Sequence, residues 1–129
     1  MFKLVVIIAT NNLEYACANS IKSLAQSQIP DSYRYTLIVE NGYKTNDLRC
    51  LANFQKILKI KYLFYPYSNK SGALNFALNQ VDPESFIYFS DDDAKYDKNV
   101  LKKFTDIAKQ YDRKRFFGGA MKVNYEKYP

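Results

Sequence analysis

The sequence contains no histidine and no tryptophan, and only two cysteines, four glycines and four prolines in 129 residues. Without histidine the chain lacks the commonest general base, the commonest zinc ligand and any Ser-His-Asp triad of its own. The two cysteines, Cys17 and Cys50, fall inside apparent helices. They share no metal-ligand spacing and suggest no disulfide framework. No glycine-rich phosphate cradle is present, since neither G-x-x-x-x-G-K-[ST] nor G-x-G-x-x-G occurs. The apolar run near the N-terminus, "LVVIIA", is six residues long. That is too short for a membrane span or a secretory signal core, and no cleavage site follows. It reads as a strand, and the protein as cytoplasmic.

What remains is an ordinary globular composition, 47% hydrophobic and 25% charged. The length suits one domain with a core of its own. Nineteen Lys and Arg against thirteen Asp and Glu give +6, a balance that favours anionic partners. The lysines are scattered, however, as on solvated faces, with short clusters such as Lys102-Lys103. No clustered basic and aromatic face points to nucleic acid.

Strand and helix patterns alternate along the chain. "KLVVIIA" (3–9) is the continuous apolar, β-branched run of a strand buried on both faces. "NLEYACANSIKSLAQSQ" (12–28) places Leu13, Cys17, Ile21 and Leu24 on one helical face, and Pro30-Asp31 stops it. Strands are expected at 34–40, 61–65, 85–90 and 115–123, and helices at 46–59, 71–80 and 97–110. The alternation predicts an α/β, Rossmann-like fold: a mostly parallel sheet with helices on both faces. Ligands of such sheets bind beyond the carboxyl ends of the strands, where the strand order reverses. That singles out Thr10-Asn11-Asn12, Glu40-Asn41-Gly42, the segment 66–72, and Asp91-Asp92-Asp93.

Three adjacent aspartates have two explanations. One is a helix start, where carboxylates meet the positive end of the dipole. Asp97 already stands where the helix at 98–110 needs a cap, so the trio sits early for that role. The other is a hard-cation site, since Mg²⁺ and Mn²⁺ are commonly held by one or two carboxylates plus substrate phosphates. On extended backbone Asp91 and Asp93 point to one side and Asp92 to the other. Lys70, at the start of a helix, is either a solvated lysine or the positive partner of a phosphate.

Four segments together resemble the family 2 nucleotide-sugar glycosyltransferases, which have the A-type fold. "VVIIATNN" is similar to their opening strand and Pro-Thr-Tyr-Asn turn, and "LIVENG" to their Val-Asp-Asn-Gly-Ser signature. "NKSGALNFAL" resembles the Lys-x-Gly-Ala-Leu-Asn element, and "FIYFSDDD" the Asp-x-Asp strand end. They occur in the family's order and cover nearly the whole chain. The resemblance implies transfer of a sugar from a nucleotide diphosphate sugar, most often UDP-linked, to a saccharide or lipid-linked acceptor. It implies Mn²⁺ or Mg²⁺ held by Asp93 with Asp91. Thr10 would line the base pocket, Glu40 would contact base or ribose, and Lys70 would approach the diphosphate. Asp91 would sit by the ribose, and Asp92 would support the site or touch the sugar. Self-association and a peripheral membrane contact at the inner face are compatible with it.

The chain departs from the family pattern in places. Ala9 replaces the usual Pro, Asn11 the usual Tyr, Glu40 the usual Asp and Tyr43 the usual Ser. Family catalytic domains are roughly twice this long, near the upper part of the domain range. The resemblance therefore makes residues 1–129 a single nucleotide-sugar-binding domain without the acceptor half, where the catalytic base of inverting members lies. Glu126 is too close to the end to replace it. Two rivals keep the fold class without the transfer chemistry: a non-catalytic nucleotide-binding remnant and a phospho-receiver-like domain. The receiver also needs acids after the first strand, where this chain has Ala9-Thr10-Asn11.

Overall fold

The structure is a computed structural model and describes residues 2–110. Four strands form one sheet in the order β3-β2-β1-β4: β1 (Leu4–Thr10), β2 (Tyr33–Asn41), β3 (Lys61–Tyr65) and β4 (Phe86–Asp91). Every pairing is parallel. Parallel strands need crossovers, and the helical segments supply them. The expected fifth strand, 115–123, lies outside the described residues.

β1 is buried along its whole length because both faces of the sheet are covered. Leu4, Val6 and Ile8 pack with Leu13, Ile21, Leu24 and Leu101 on one face. Val5, Ile7 and Ala9 pack with Leu37, Val39, Ala73 and Ala77 on the other. The period of two along one strand thus divides the core into two layers.

The first helix runs as α1 (Leu13–Ala16), a π-helical turn at Cys17–Ile21, and α2 (Lys22–Gln26). Asn12 caps it by accepting the Tyr15 N–H at 3.1 Å. The expected face is confirmed, since Leu13, Cys17, Ile21 and Leu24 all join one core layer. The π turn was not legible from periodicity; there the Ser20 N–H reaches the Asp92 carbonyl at 3.3 Å.

The single helix expected at 46–59 is instead two short ones, α3 (Arg49–Ala52) and α4 (Gln55–Leu58). Asp47 Oδ1 accepts the Arg49 N–H at 3.0 Å, an Asx turn that competes with helix at 46–48. Asn53 and Phe54, both poor helix formers, interrupt the middle. Lys59, left-handed at φ 50°, ends α4 where a glycine is usual. α5 (Lys70–Leu78) and α6 (Val100–Lys109) complete the fold. The cap of α6 is Asn99, not Asp97, and Asp97 contributes its carbonyl to the Val100 N–H. No helix among the described residues is long and apolar enough to cross a membrane.

Gly42 turns the chain out of β2 at φ 83°, and a Cβ there would collide with the Ser68 hydroxyl. Gly42→Ala is expected to lower stability by about 1–3 kcal/mol through the left-handed backbone and that clash. The urea midpoint followed by circular dichroism measures it.

Candidate functional site

The strand order reverses at β1. The chain winds from β1 outward to β2 and β3, then returns to place β4 on the other side. The crevice of such a sheet opens beyond the carboxyl ends of β1 and β4. In register, Thr10 pairs with Glu40 and Ala9 with Asp91, so the acids of β2 and β4 flank the end of β1. Two strand spacings separate them, about 10 Å.

Thr10 closes the bottom of the crevice. It is 2% exposed. Its hydroxyl lies 2.8 Å from Asp92 Oδ2 and 2.9 Å from the Asn12 carbonyl, and it accepts the Asn12 N–H at 3.0 Å. Asn41 donates to the Thr10 carbonyl at 3.2 Å. Residues 92–93 form a turn rather than extended backbone, with the Ala94 N–H directed at the Asp91 carbonyl. The three carboxylates therefore diverge for a different reason from strand alternation. Asp91 is ion-paired with Lys70. Asp92 is bound inward to Thr10. Asp93 is exposed, and its carboxylate has no partner among the described residues.

Lys70 occupies the first turn of α5, whose cap, Asn69, accepts the Gly72 N–H at 3.0 Å. The pair it forms with Asp91 is more than half exposed on both sides, so it is weak and easily exchanged for another anion. Gly72 lies against the Tyr65 ring, and a Cβ would come within 2.5 Å of its hydroxyl oxygen. That close approach holds the start of α5 against the end of β3.

Glu40 has a different character. It is fully buried, and four donors surround its carboxylate. Oε1 accepts from the Thr45 N–H at 2.8 Å and the Tyr62 hydroxyl at 2.6 Å. Oε2 accepts from the Thr45 hydroxyl at 2.7 Å and the Leu13 N–H at 3.2 Å. Glu40 thereby ties the start of the first helix, the loop after β2, and β3 together. Burial, and then the bond to Glu40, push the Tyr62 phenol up, so it stays protonated and donating.

Beside Glu40 lies a cleft of about 650 Å³. Asn11, Asn12 and Glu14 form one wall, and Tyr43, Thr45, Asp47, Arg49 and Cys50 the other. Asp47 takes Arg49 in a two-pronged pair at 3.0 and 2.7 Å, which lowers its carboxyl to about 2. Tyr43 is 70% exposed, an aromatic ring offered to the cleft rather than to the core. The residues that sequence reading passed over here are Tyr62, Thr45, Asp47 and Arg49. The Asp-x-Arg spacing was their one visible signal, because the others act through contacts distant in the chain.

Of the residues singled out beforehand, Thr10, Asp91 and Asp92 meet at the crevice, joined by Lys70 through Asp91. Glu40 stands one strand away with both oxygens occupied by the protein's own donors.

The fold has solved counterparts. The structure of S. aureus TarS 1-349 matches at a TM-score of 0.70 and 23% identity, over 84% of this chain and 33% of that one. The same protein in complex with UDP-GlcNAc matches at 0.69 and 21% identity, over 93% and 38% of the two chains. Its complex with UDP matches at 0.66 and 22%, over 93% and 39%. At these identities the likeness shows the fold, and the chain spans a third to two-fifths of the length of these three chains. No curated protein matches the chain. The sequence model described as "Glycosyl transferase family 2" matches residues 4–129, and on that match, over the A-type fold, the chain belongs to glycosyl transferase family 2.

Proposed function

We propose that the chain binds a nucleotide diphosphate sugar, of the UDP type, and presents it for glycosyl transfer. The observation that carries this reading is the Lys70–Asp91 pair at the carboxyl end of the sheet, with Asp93 exposed two residues on, at the same end as the cleft lined by Asn11, Asn12 and Tyr43. The cleft accepts the nucleoside, with Tyr43 as a stacking surface and Asn11 and Asn12 as amide partners for a base or ribose. Glu40 acts through position. Its four bonds hold the two walls of the cleft at a fixed separation. Thr10 supports the site from below through Asp92. The titles of two matched structures name UDP-GlcNAc and UDP as ligands of TarS, which favours a uridine nucleotide here.

The donor set suits Mn²⁺ or Mg²⁺. Among the described residues no cluster of three or more acidic, cysteine or histidine ligands exists. Two exposed carboxylates, Asp91 and Asp93, provide hard oxygen atoms. Such cations keep several waters and complete their shell with phosphate oxygens, so a two-carboxylate site is sufficient. When bound, the cation would neutralise charge growing on the leaving diphosphate. With Asp91 and Asp93 holding such a cation, Lys70 would be released from Asp91 to pair with a phosphate oxygen.

Calorimetric titration with UDP and with uridine in the presence of Mn²⁺ tests the reading. UDP is expected to bind at least about tenfold more tightly, a difference of about 1.4 kcal/mol. Equal affinities would leave the diphosphate without a site. Lys70→Ala is expected to narrow the UDP-to-uridine ratio while leaving uridine binding unchanged. A parallel loss for both ligands would remove Lys70 from the phosphates.

A further inference from the structure

Cys17 and Cys50 are 33 residues apart in sequence, yet their sulfurs lie 2.7 Å from each other, sharing a hydrogen bond. Both are free thiols. Cys17 opens the π-helical turn of the first helix and is 6% exposed. Cys50 sits on α3, is partly exposed, and lines the cleft. Their sequence spacing showed no sign of this proximity, which joins the first helix to α3. A buried free cysteine is ordinarily an inert small hydrophobe. Two sulfurs this close, one buried and one at a solvent-filled cleft, form a different object. A disulfide needs a separation of about 2.05 Å, which a small side-chain movement supplies.

We infer that Cys17 and Cys50 form a dithiol modification site, which exchanges with a small disulfide entering the cleft and closes to an internal disulfide. The inference does not depend on nucleotide binding, since only the thiols are read.

The steps balance. The Cys50 thiolate, the accessible one, attacks a small disulfide such as oxidised glutathione. A bond forms from Cys50 Sγ to one half of the reagent, and the reagent's own sulfur–sulfur bond breaks, releasing the first thiolate. Cys17 then gives its proton to solvent and attacks Cys50 Sγ. The Cys17–Cys50 bond forms, the mixed bond breaks, and the second small thiol leaves. The pair loses two protons and two electrons, and the small disulfide gains them. Burial, together with its bond to Cys50, holds the Cys17 thiol well above its ordinary value. The second step is therefore the slower one. The product links the first helix to α3 across β2 and the loop that carries Tyr43 and Thr45, and it clears the bulky adduct from the cleft wall.

The test is treatment of the folded chain with oxidised glutathione, alkylation of remaining thiols, and mass analysis of a tryptic digest. Wild type is expected to lose both thiols, with alkylatable thiol falling at least about tenfold, since the proximity of the pair favours closure. Peptides 4–22 and 50–56 should appear joined, and dithiothreitol should separate them. Cys17→Ser, or Cys17→Ala if serine is not tolerated in the core, should instead retain glutathione on Cys50. Three results would each overturn the inference. Both thiols could stay alkylatable, wild type could stop at the mixed disulfide as the variants do, or the link could join two chains.

Discussion

Glu40→Ala is expected to cost about 3–5 kcal/mol of folding stability, the largest loss of any single change in the cleft. Four donors point at this carboxylate: the Leu13 and Thr45 amides and the Thr45 and Tyr62 hydroxyls. Alanine leaves all four facing a void. Each buried donor without an acceptor costs roughly 1–3 kcal/mol, and water entering from the cleft offsets part of that. Domains of this size have about 5–15 kcal/mol in total, so the variant stands near the limit of folding. Glu40→Gln separates shape from chemistry. It fills the same volume but turns an amide N–H₂ toward donors, and an intermediate loss of about 1–2 kcal/mol is expected. Urea unfolding followed by circular dichroism ranks the three proteins. An alanine variant within about 0.5 kcal/mol of wild type would mean that the four bonds do not hold the cleft together.

Asp93→Ala is expected to do the opposite: leave stability alone and remove function. Its carboxylate is exposed and has no partner among the described residues. Surface substitutions of this kind change stability by less than about 0.5 kcal/mol. On the donor-site reading, however, Asp93 is one of two protein ligands to the cation. Its loss is expected to weaken Mn²⁺-dependent UDP binding at least about tenfold, with uridine affinity unaltered. Calorimetry with and without Mn²⁺ resolves the two ligands. Unchanged UDP affinity in the variant would take Asp93 out of the site.

The two predictions contrast because the acids at the strand ends differ in kind, and sequence shows that only in part. The four described strands were legible to within a residue or two. "LVVIIA" reads as a strand covered on both faces and is one, and the helix expected at 71–80 is α5, Lys70–Leu78. Fold class followed from the alternation, and the crevice from the class. Details set by distant contacts were hidden. An Asx turn at Asp47, helix-poor Asn53-Phe54 and the left-handed Lys59 divide what periodicity reads as one helix. The turn at 92–93, not strand alternation, separates the three aspartates. Tyr62 serves Glu40 across 22 positions, and Cys50 meets Cys17 across 33. A spacing rule reads one element at a time, whereas these contacts join elements.

Thr10 illustrates the same point. Its place at the carboxyl end of β1 marks it as a site residue, but its side chain is buried and turned toward Asp92. It supports the acid turn from beneath, and on the donor-site reading a bound nucleotide would meet Asn11, Asn12 and Tyr43 in the cleft.

The central proposal is that a divalent cation joins Asp91 and Asp93, at the end of β4, to a diphosphate. Electron paramagnetic resonance of Mn²⁺ tests it most directly, with protein alone, UDP alone and the two together. The expected result is that protein and UDP together take up about one Mn²⁺ per chain, at concentrations where neither alone does so, as a shell shared between carboxylates and phosphates requires. Uptake by the mixture no greater than the sum of its parts would contradict the account.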